Sequence, residues 1–364
     1  MKNSFGNNIT VTLFGESHGE MIGATLDGMP SGIPIIMDYI YQKMDMRRAC
    51  GKISTARKEA DIPLIVSGVY NGYTTGTPLT VLIKNSNTSS SDYSEIKNTP
   101  RPSHADYTAI AKFGEHRDYR GGGHFSGRLT APLVAVGAII ESMLMAKGIE
   151  IGTHIKVLGG ISDAEFGDIQ EDIRALSHKQ FPVISVESHM AMVKLIEAVA
   201  ADGDSIGGIL ETAIIGVPAG VGEPWFDTLE GELAHAIFSV PAVKGVEFGC
   251  GFGFANLRGS IANDEFVTDG EKIFTKTNNN GGINGGISNG MPIILRTAVK
   301  PTPSIFKEQA TVDLQKMENT TLTIKGRHDP AIIHRARPVI DAVCAIVIAD
   351  MIATKYGTDW FKNK

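Results

Sequence analysis

Hydrophobic and polar positions alternate, or run apolar for the length of a strand, in four early stretches: Ile9–Phe14, Ile22–Asp27, Pro63–Tyr70 and Pro78–Asn85. Each ends on turn residues, so each is predicted to be a strand. A helix is predicted from Asp38, taken as its N-cap, to about Arg48. Two further segments, Thr130–Lys147 and the run PVIDAVCAIVIADMI near the C-terminus, have helical length but are apolar almost all round. Helices without a polar face belong between layers.

These features occur twice in the same order. Gly28-Met-Pro-Ser-Gly32 followed by the Asp38 helix is echoed by Gly216-Val-Pro-Ala-Gly220 followed by a helix expected to be capped at Asp227. TGTPLTVLIKN is echoed by NGMPIILRTAVK, and RPSHAD with its apolar helix by GRHDP with the helix from Arg337 to Ile352. Three pairs in the same order imply an internal duplication. The expected architecture is an α+β fold, two sheets with apolar helices packed between them, in one folding unit of 1–364. Its pseudo-repeats span about 1–150 and 205–355, with an intervening segment.

Composition narrows the function. The chain has 364 residues, 42% hydrophobic and 20% charged, with a formal net charge of -6, so it lacks the basic surface of a nucleic-acid binder. The N-terminus has no signal-peptide core, and the longest apolar run stops at Glu141, short of the roughly 20 residues of a membrane span. A cytoplasmic protein with no membrane partner is expected. Cys50, Cys250 and Cys344 are far apart and show no CxxC spacing, which predicts neither a disulfide framework nor a metal site. Glycine is the unusual residue: 41 in the chain, about 11% against a usual ~7%.

Those glycines concentrate in loops that also carry cations, hydroxyls and histidines. Arg117 to Arg128 reads RDYRGGGHFSGR, and Thr277 to Gly290 reads TNNNGGINGGISNG. Phe14–Glu20 offers Ser17 and His18, Arg101–Tyr107 sets His104 two residues before Asp106, and Lys300–Ile305 and Lys325–Pro330 add KPTPSI and KGRHDP. Each alone could be a polar turn. Cations beside glycine loops in an acidic chain point instead to a positive basin for a polyanionic ligand, since guanidinium forks match carboxylate and phosphate oxygens. No loop fits a P-loop or a GxGxxG opening a βαβ unit.

The blocks GESHG, RPSHADYTAIAKFGEHRDYRGGG, GVPAGVGEP, AVKGVEFG, NGGINGGISNG, KPTPSI and KGRHDP resemble the successive signatures of the chorismate synthase family, in order and over nearly the whole chain. The resemblance implies a β-α-β sandwich with internal duplication, a homotetramer, and reduced FMN as cofactor. The reaction implied is the 1,4-anti elimination of phosphate from 5-enolpyruvylshikimate 3-phosphate, giving chorismate with no net redox change, in the shikimate pathway to the aromatic amino acids.

By motif position the resemblance assigns catalysis to His18, His104 and Asp329: His18 toward the reduced flavin, His104 toward the departing phosphate or the substrate, Asp329 in relaying the C6 proton with the flavin. It assigns the substrate anions to Ser17, Arg47, Arg48, Arg57, Arg101, Ser126, Arg128 and Arg327. FMN is assigned to His124, Phe125, Ser126, Ala242, Gly285, Lys300, Pro301, Thr302, Pro303, Ser304 and Arg327. The chain departs from the common family pattern after the three glycines, with His124-Phe-Ser-Gly-Arg-Leu-Thr in place of Arg-x-Ser-Ala-Arg-Glu-Thr. The electron source stays open between NADPH, used by the chain itself, and an external flavin reductase. Two other readings of the loops are a net oxidoreductase on the same flavin site and a non-catalytic anion- or flavin-binding protein.

Overall fold

The structure, a computed structural model, describes residues 2–49, 51–54, 60–86, 97–324 and 328–362. It mixes helix and sheet. One antiparallel sheet contains, in spatial order, β1 (Ser4–Phe5), β2 (Thr10–Gly15), β3 (Met21–Asp27), β7 (Leu79–Lys84) and β4 (Leu64–Ser67). The ribbon β5 (Val69–Tyr70) and β6 (Tyr73–Thr74) stands between β4 and β7 in the chain. A second antiparallel sheet contains β11 (Val243–Phe248), β16 (Ile293–Val299), β10 (Gly208–Ile215), β8 (Glu150–Leu158) and β9 (Ile161–Ser162). Three two-stranded ribbons complete the strands: β12 (Phe266–Thr268) with β13 (Ile273–Thr275), β14 (Ile283–Asn284) with β15 (Ile287–Ser288), and β17 (Gln309–Asp313) with β18 (Glu318–Leu322).

The helices are α1 (Met37–Arg47), α2 (Asp106–Phe113), α3 (Thr130–Met145), α4 (Ile169–Leu176), α5 (Val186–Ala201), α6 (Leu229–Ser239), α7 (Gly259–Ala262) and α8 (Ile333–Tyr356). Helix α3 touches β3 and β7 of the first sheet and β8 of the second, while α8 touches β8 and β10 and also β2. Both apolar helices therefore lie against both sheets. They cross closely, because a Cβ on Gly137 would stand 2.3 Å from that of Ala342. The window 127–145 is long and apolar enough to cross a membrane, but 89% of it is buried inside the fold. Ile139, Ile140, Leu144, Ile340, Ile346 and Ile348 are almost wholly buried, each worth about 1.5–3 kcal/mol of transfer free energy.

Two pairs of turns match in detail. Gly28 and Gly216 have φ of 81° and 82°, and Gly32 and Gly220 both have 89°. A Cβ on Gly28 would stand 1.8 Å from the carbonyl oxygen of Asn8, and one on Gly216 2.0 Å from that of Gly148, so only glycine allows either approach. Thr74 Oγ1 donates to Pro30 O at 2.6 Å and accepts from Ile33 N at 3.0 Å. Ser288 Oγ does the same with Pro218 O and Val221 N at 2.6 and 2.9 Å. Strand β8, at 150–158, belongs to the second sheet.

Several local expectations shift. Helix α1 starts at Met37 with Ile36 in the cap position and no side-chain cap bond, so Asp38 lies inside the first turn, where its charge meets the helix dipole. Helix α6 is capped by Thr228, whose Oγ1 accepts from Gly231 N at 2.9 Å, and not by Asp227. Pro63–Tyr70 is two strands broken at Gly68. The apolar helix expected from Thr130 to Lys147 ends at Met145.

Candidate active site

Gly121, Gly122 and Gly123 have φ of 58°, 85° and 55°, values that cost a side-chain-bearing residue. Space gives a second reason. A Cβ on Gly121 would stand 2.2 Å from Cε1 of His18 and 2.8 Å from Oγ of Ser17, and one on Gly122 3.4 Å from Cε1 of His104. The glycine turn is thus the surface against which two histidines from distant loops are brought together.

Backbone straps fix this contact. The 16–20 loop closes the β2–β3 hairpin, and Ser17 N donates to Gly123 O at 3.1 Å. His124 Nδ1 donates to Gly15 O at 2.9 Å. Asn85, at the end of β7, donates to Glu16 O and Gly19 O at 3.0 and 2.8 Å. Ser17 and His18 are buried, whereas His124 and Phe125 are exposed.

His104 is oriented by Asp106 as its spacing predicts. Its Nδ1 lies 2.7 Å from Oδ1 of Asp106, and Arg101 grips the same carboxylate through Nε at 2.7 Å and Nη2 at 2.8 Å. Burial alone would raise the Asp106 pKa, but the hydrogen bonds of Arg101 and His104 and the charge of Arg101 hold its carboxyl well below the usual range. With Nδ1 committed to Asp106, Nε2 of His104 is the nitrogen on the Gly122 side.

The arginines are more engaged than the motifs suggest. Arg47 and Arg128 are buried and share one buried carboxylate, Asp61: Arg47 Nη1 pairs with its Oδ2 at 2.8 Å and Arg128 Nη1 with its Oδ1. Arg47 also donates to Thr130 Oγ1 at 2.9 Å and Gly127 O at 3.0 Å, and Arg128 to Asn85 Oδ1 at 3.0 Å. Burial opposes ionisation of Asp61, and the two guanidiniums overcome it, so its pKa is lowered. Arg48 pairs with Asp45 and with the carbonyl oxygen of Ala60. Arg57 and Arg327 lie outside the described residues. Asp61 and Asn85 escaped the sequence reading, because neither sits in a motif and their partners are remote.

Two more loops meet at Arg101. Lys300 Nζ donates to Ser103 O. His328 lies tilted against Phe306 with centroids 5.5 Å apart, and its pKa is lowered, first by burial and then by the charge of Arg101. Asp329 pairs with Arg335 Nη1 at 2.5 Å. Of the expected catalytic residues, His18 and His104 meet at the glycine turn, with Ser17 and Ser126 close to it, while Asp329 follows His328, which feels the charge of Arg101. His104 also shares the Asp106 carboxylate with Arg101.

The residues present suit an anionic, phosphate-bearing cofactor. The Lys300 pKa is lowered by burial and by the like charge of Lys244, so a bound anion would relieve both. Thr302 Oγ1 is buried with no hydrogen-bond partner among the described residues, and Ser304 is buried beside it in the chain. Ala242 adopts φ 74° and accepts from Lys300 N at 2.9 Å. Pro301 packs against Gly207 and Pro303 O accepts from Gln309. Gly285 lies in the β14–β15 turn, whose Gly286 leans on Glu223 and Thr228. Among the described residues no group of His, Cys, Asp and Glu could hold a metal ion.

Comparison with known proteins shows the family. Residues 9–353 match the family model described as chorismate synthase. A chorismate synthase of Thermococcus gammatolerans is 46% identical over 345 residues, 95% of this chain and 96% of that one. One of Chitinophaga pinensis is 43% identical over 362 residues, 99% of this chain and 100% of that one. A solved structure described as a crystal structure of chorismate synthase superposes with a TM-score of 0.75 at 28% identity, covering 97% of this chain and 94% of that chain.

Proposed function

The chain belongs to the chorismate synthase family and is a lyase that eliminates phosphate from 5-enolpyruvylshikimate 3-phosphate to give chorismate, and from that premise we propose which of its residues perform the elimination. Phosphate leaves with the C–O bonding pair, the C6 proton departs, and a new C=C bond closes the balance. The substrate brings two carboxylates and a phosphate into a site where two arginines share Asp61 and where Arg101 is matched by Asp106. Ser17 and Ser126 supply hydroxyls, and Arg47, Arg48, Arg57, Arg101, Arg128 and Arg327 supply the field that holds the anions. Because Arg47 and Arg128 are buried in the Asp61 pair, their part is to attract and to brace more than to touch.

His104, held at Nδ1 by Asp106, delivers a proton from Nε2 to the departing phosphate. Asp329 accepts the C6 proton. His18, against Gly121, holds a proton toward the cofactor. Such general acid–base help is worth about 10²–10⁴-fold in rate. Reduced FMN, when bound, supplies electron density to the breaking C–O bond and recovers it, which the side chains alone cannot do. Lys300, Thr302, Ser304 and Ala242 would hold it, with Pro301, Pro303, Arg327, Gly285, His124, Phe125 and Ser126 around it. The observation that carries this reading is the three-glycine turn, whose missing Cβ atoms leave room for His18 and His104.

The finer architecture proposed is a β-α-β sandwich with an internal duplication, supported by the matching Thr74 and Ser288 hydrogen bonds. We propose a cytoplasmic homotetramer; Trp225, Phe226 and Phe252, each more than four-fifths exposed, are apolar surface of the kind that association covers. Light scattering tests the assembly. The chemistry is tested anaerobically with substrate and reduced FMN, following chorismate and phosphate. Runs with oxidised FMN, with and without NADPH or an added flavin reductase, then identify the electron source. Formation of chorismate without reduced FMN, or with stoichiometric consumption of reductant, would overturn the assignment.

A further inference from the structure

Helix α8 carries His334, Arg335 and Arg337, three polar side chains, within its first five residues. Each ties a different segment. His334 Nε2 lies 2.7 Å from Ser54 Oγ, and Arg337 Nη1 donates to Lys179 O at 3.0 Å. Arg335 does two things at once: its Nε donates to the carbonyl oxygen of Arg47 at 2.8 Å while its Nη1 pairs with Oδ2 of Asp329 at 2.5 Å. Both members of that pair are largely withdrawn from water, with side chains 22% and 12% exposed.

A guanidinium is a rigid planar fork, so fixing one edge fixes the direction of the other. The edge fixed here rests on the backbone carbonyl of Arg47, the last residue of α1. The other points at the carboxylate that accepts the C6 proton in the reading above. Asp329 is followed by Pro330, whose ring restricts the backbone before it, and Pro330 O accepts from Ile206 N at 2.8 Å. The backbone of Asp329 is thereby held from one side and its carboxylate from the other. Among the described residues, His328 beside it in the chain and His334 on α8 feel its charge, and His328 also feels that of Arg101.

We propose that Arg335 is the positioning residue of Asp329: it sets the direction in which the carboxylate presents its oxygens to the substrate and links that direction to the Arg47 end of α1. This rests on Asp329 being the proton acceptor, and it adds a residue that touches neither substrate nor cofactor. Positioning of this kind is worth rate and not affinity, since a misdirected base leaves the binding contacts intact.

The experiment is a double-mutant cycle on the full enzyme with reduced FMN: Arg335→Ala, Asp329→Asn and the pair, with Arg335→Lys as the conservative variant. The expected result is that Arg335→Ala lowers kcat about 10²-fold with KM within about threefold, and raises the C6 deuterium isotope effect on kcat. Arg335→Lys recovers part of the rate, and Arg335→Ala costs nothing further once Asp329 is asparagine. If Arg335→Ala does not fold, by circular dichroism and melting, Arg335→Lys carries the same cycle. Equal losses from the Arg335 variant in both Asp329 backgrounds, or an unchanged kcat, overturn the proposal. A fully active Asp329→Asn with an unchanged isotope effect overturns the underlying role of Asp329 instead, a separate outcome.

Discussion

Gly121 lies against the imidazole of His18 with no room for a methyl group: a Cβ there would stand 2.2 Å from Cε1 and 2.3 Å from Nδ1. Gly121→Ala must therefore push His18 out of place and also strain a backbone at φ 58°. We expect a loss of about 1–3 kcal/mol of stability and a fall in kcat of at least 10²-fold. Gly127→Ala is the control, because nothing lies within 4 Å of its Cβ position. Melting curves and turnover of both variants check the pair, and near-normal kcat in Gly121→Ala would separate the turn from His18 function.

Asp106 holds both Arg101 and His104, so Asp106→Asn should release the imidazole without removing it. The expected effect is a drop in kcat approaching that of His104→Ala, about 10²–10⁴-fold. The two substitutions together should cost little more than His104→Ala alone. Additive losses in steady-state assays would show that Asp106 acts on something other than His104.

Asp61 carries the charge of Arg47 and Arg128 at φ 44°. Asparagine tolerates that left-handed backbone, so Asp61→Asn isolates the electrostatic loss. Leaving two buried guanidiniums without their carboxylate should cost about 3–5 kcal/mol, read as a shift in the urea midpoint at constant slope. A shift under about 1 kcal/mol would mean that other groups neutralise the two arginines.

On the second sheet, fully buried His154 lies between Asp163 at 2.8 Å and Glu211 at 3.2 Å. Burial would lower its pKa, but the hydrogen bonds and charges of the two carboxylates raise it. Asp163 is shifted the other way, to about 2, where the bonds from His154, Ile184 N and Ser185 N outweigh its burial. A histidine with a raised folded pKa contributes stability that is complete below its unfolded value, near 6.5, and is lost as pH rises through the folded value. An aspartate with a lowered pKa contributes above roughly 3.9 and loses it as pH falls through about 2. Stability should therefore be highest between about pH 4 and 6.5 and decline on the alkaline side, by about 1.4 kcal/mol per unit of His154 shift. His154→Gln should be less stable at pH 6 and lack that alkaline decline in urea titrations; a parallel decline in both proteins would place its origin elsewhere.

Lys43 sits buried between Glu141 of α3 and Asp341 of α8, with Nζ at 2.5 and 3.0 Å. Burial disfavours its charge, yet the two carboxylates raise its pKa. Lys43→Met should destabilise by about 3–5 kcal/mol, and replacing all three groups by neutral residues should recover much of the loss. A single substitution that leaves the denaturant midpoint unchanged would show that the carboxylates are neutral in the folded protein.

The sequence by itself determined what depends on near neighbours. Strand periodicity placed β2, β3 and β7 within a residue or so, uniform apolarity marked α3 and α8 as helices between layers, and the His104–Asp106 spacing set the contact that the fold preserves. The Gly-x-Pro-x-Gly echo announced the matched turns at Thr74 and Ser288. The resemblance of seven blocks pointed to the family. Tertiary structure alone decided whatever joins residues far apart in the chain: Asp61 between Arg47 and Arg128, Asn85 under the 16–20 loop, Arg335 on Asp329, and His18 on Gly121. It also turned motif arginines, which read as open cations, into members of buried pairs. The physical reason is that periodicity and turn chemistry are set by a residue's own backbone, whereas charge neutralisation and close approach depend on which surfaces the fold brings within a few ångströms of each other.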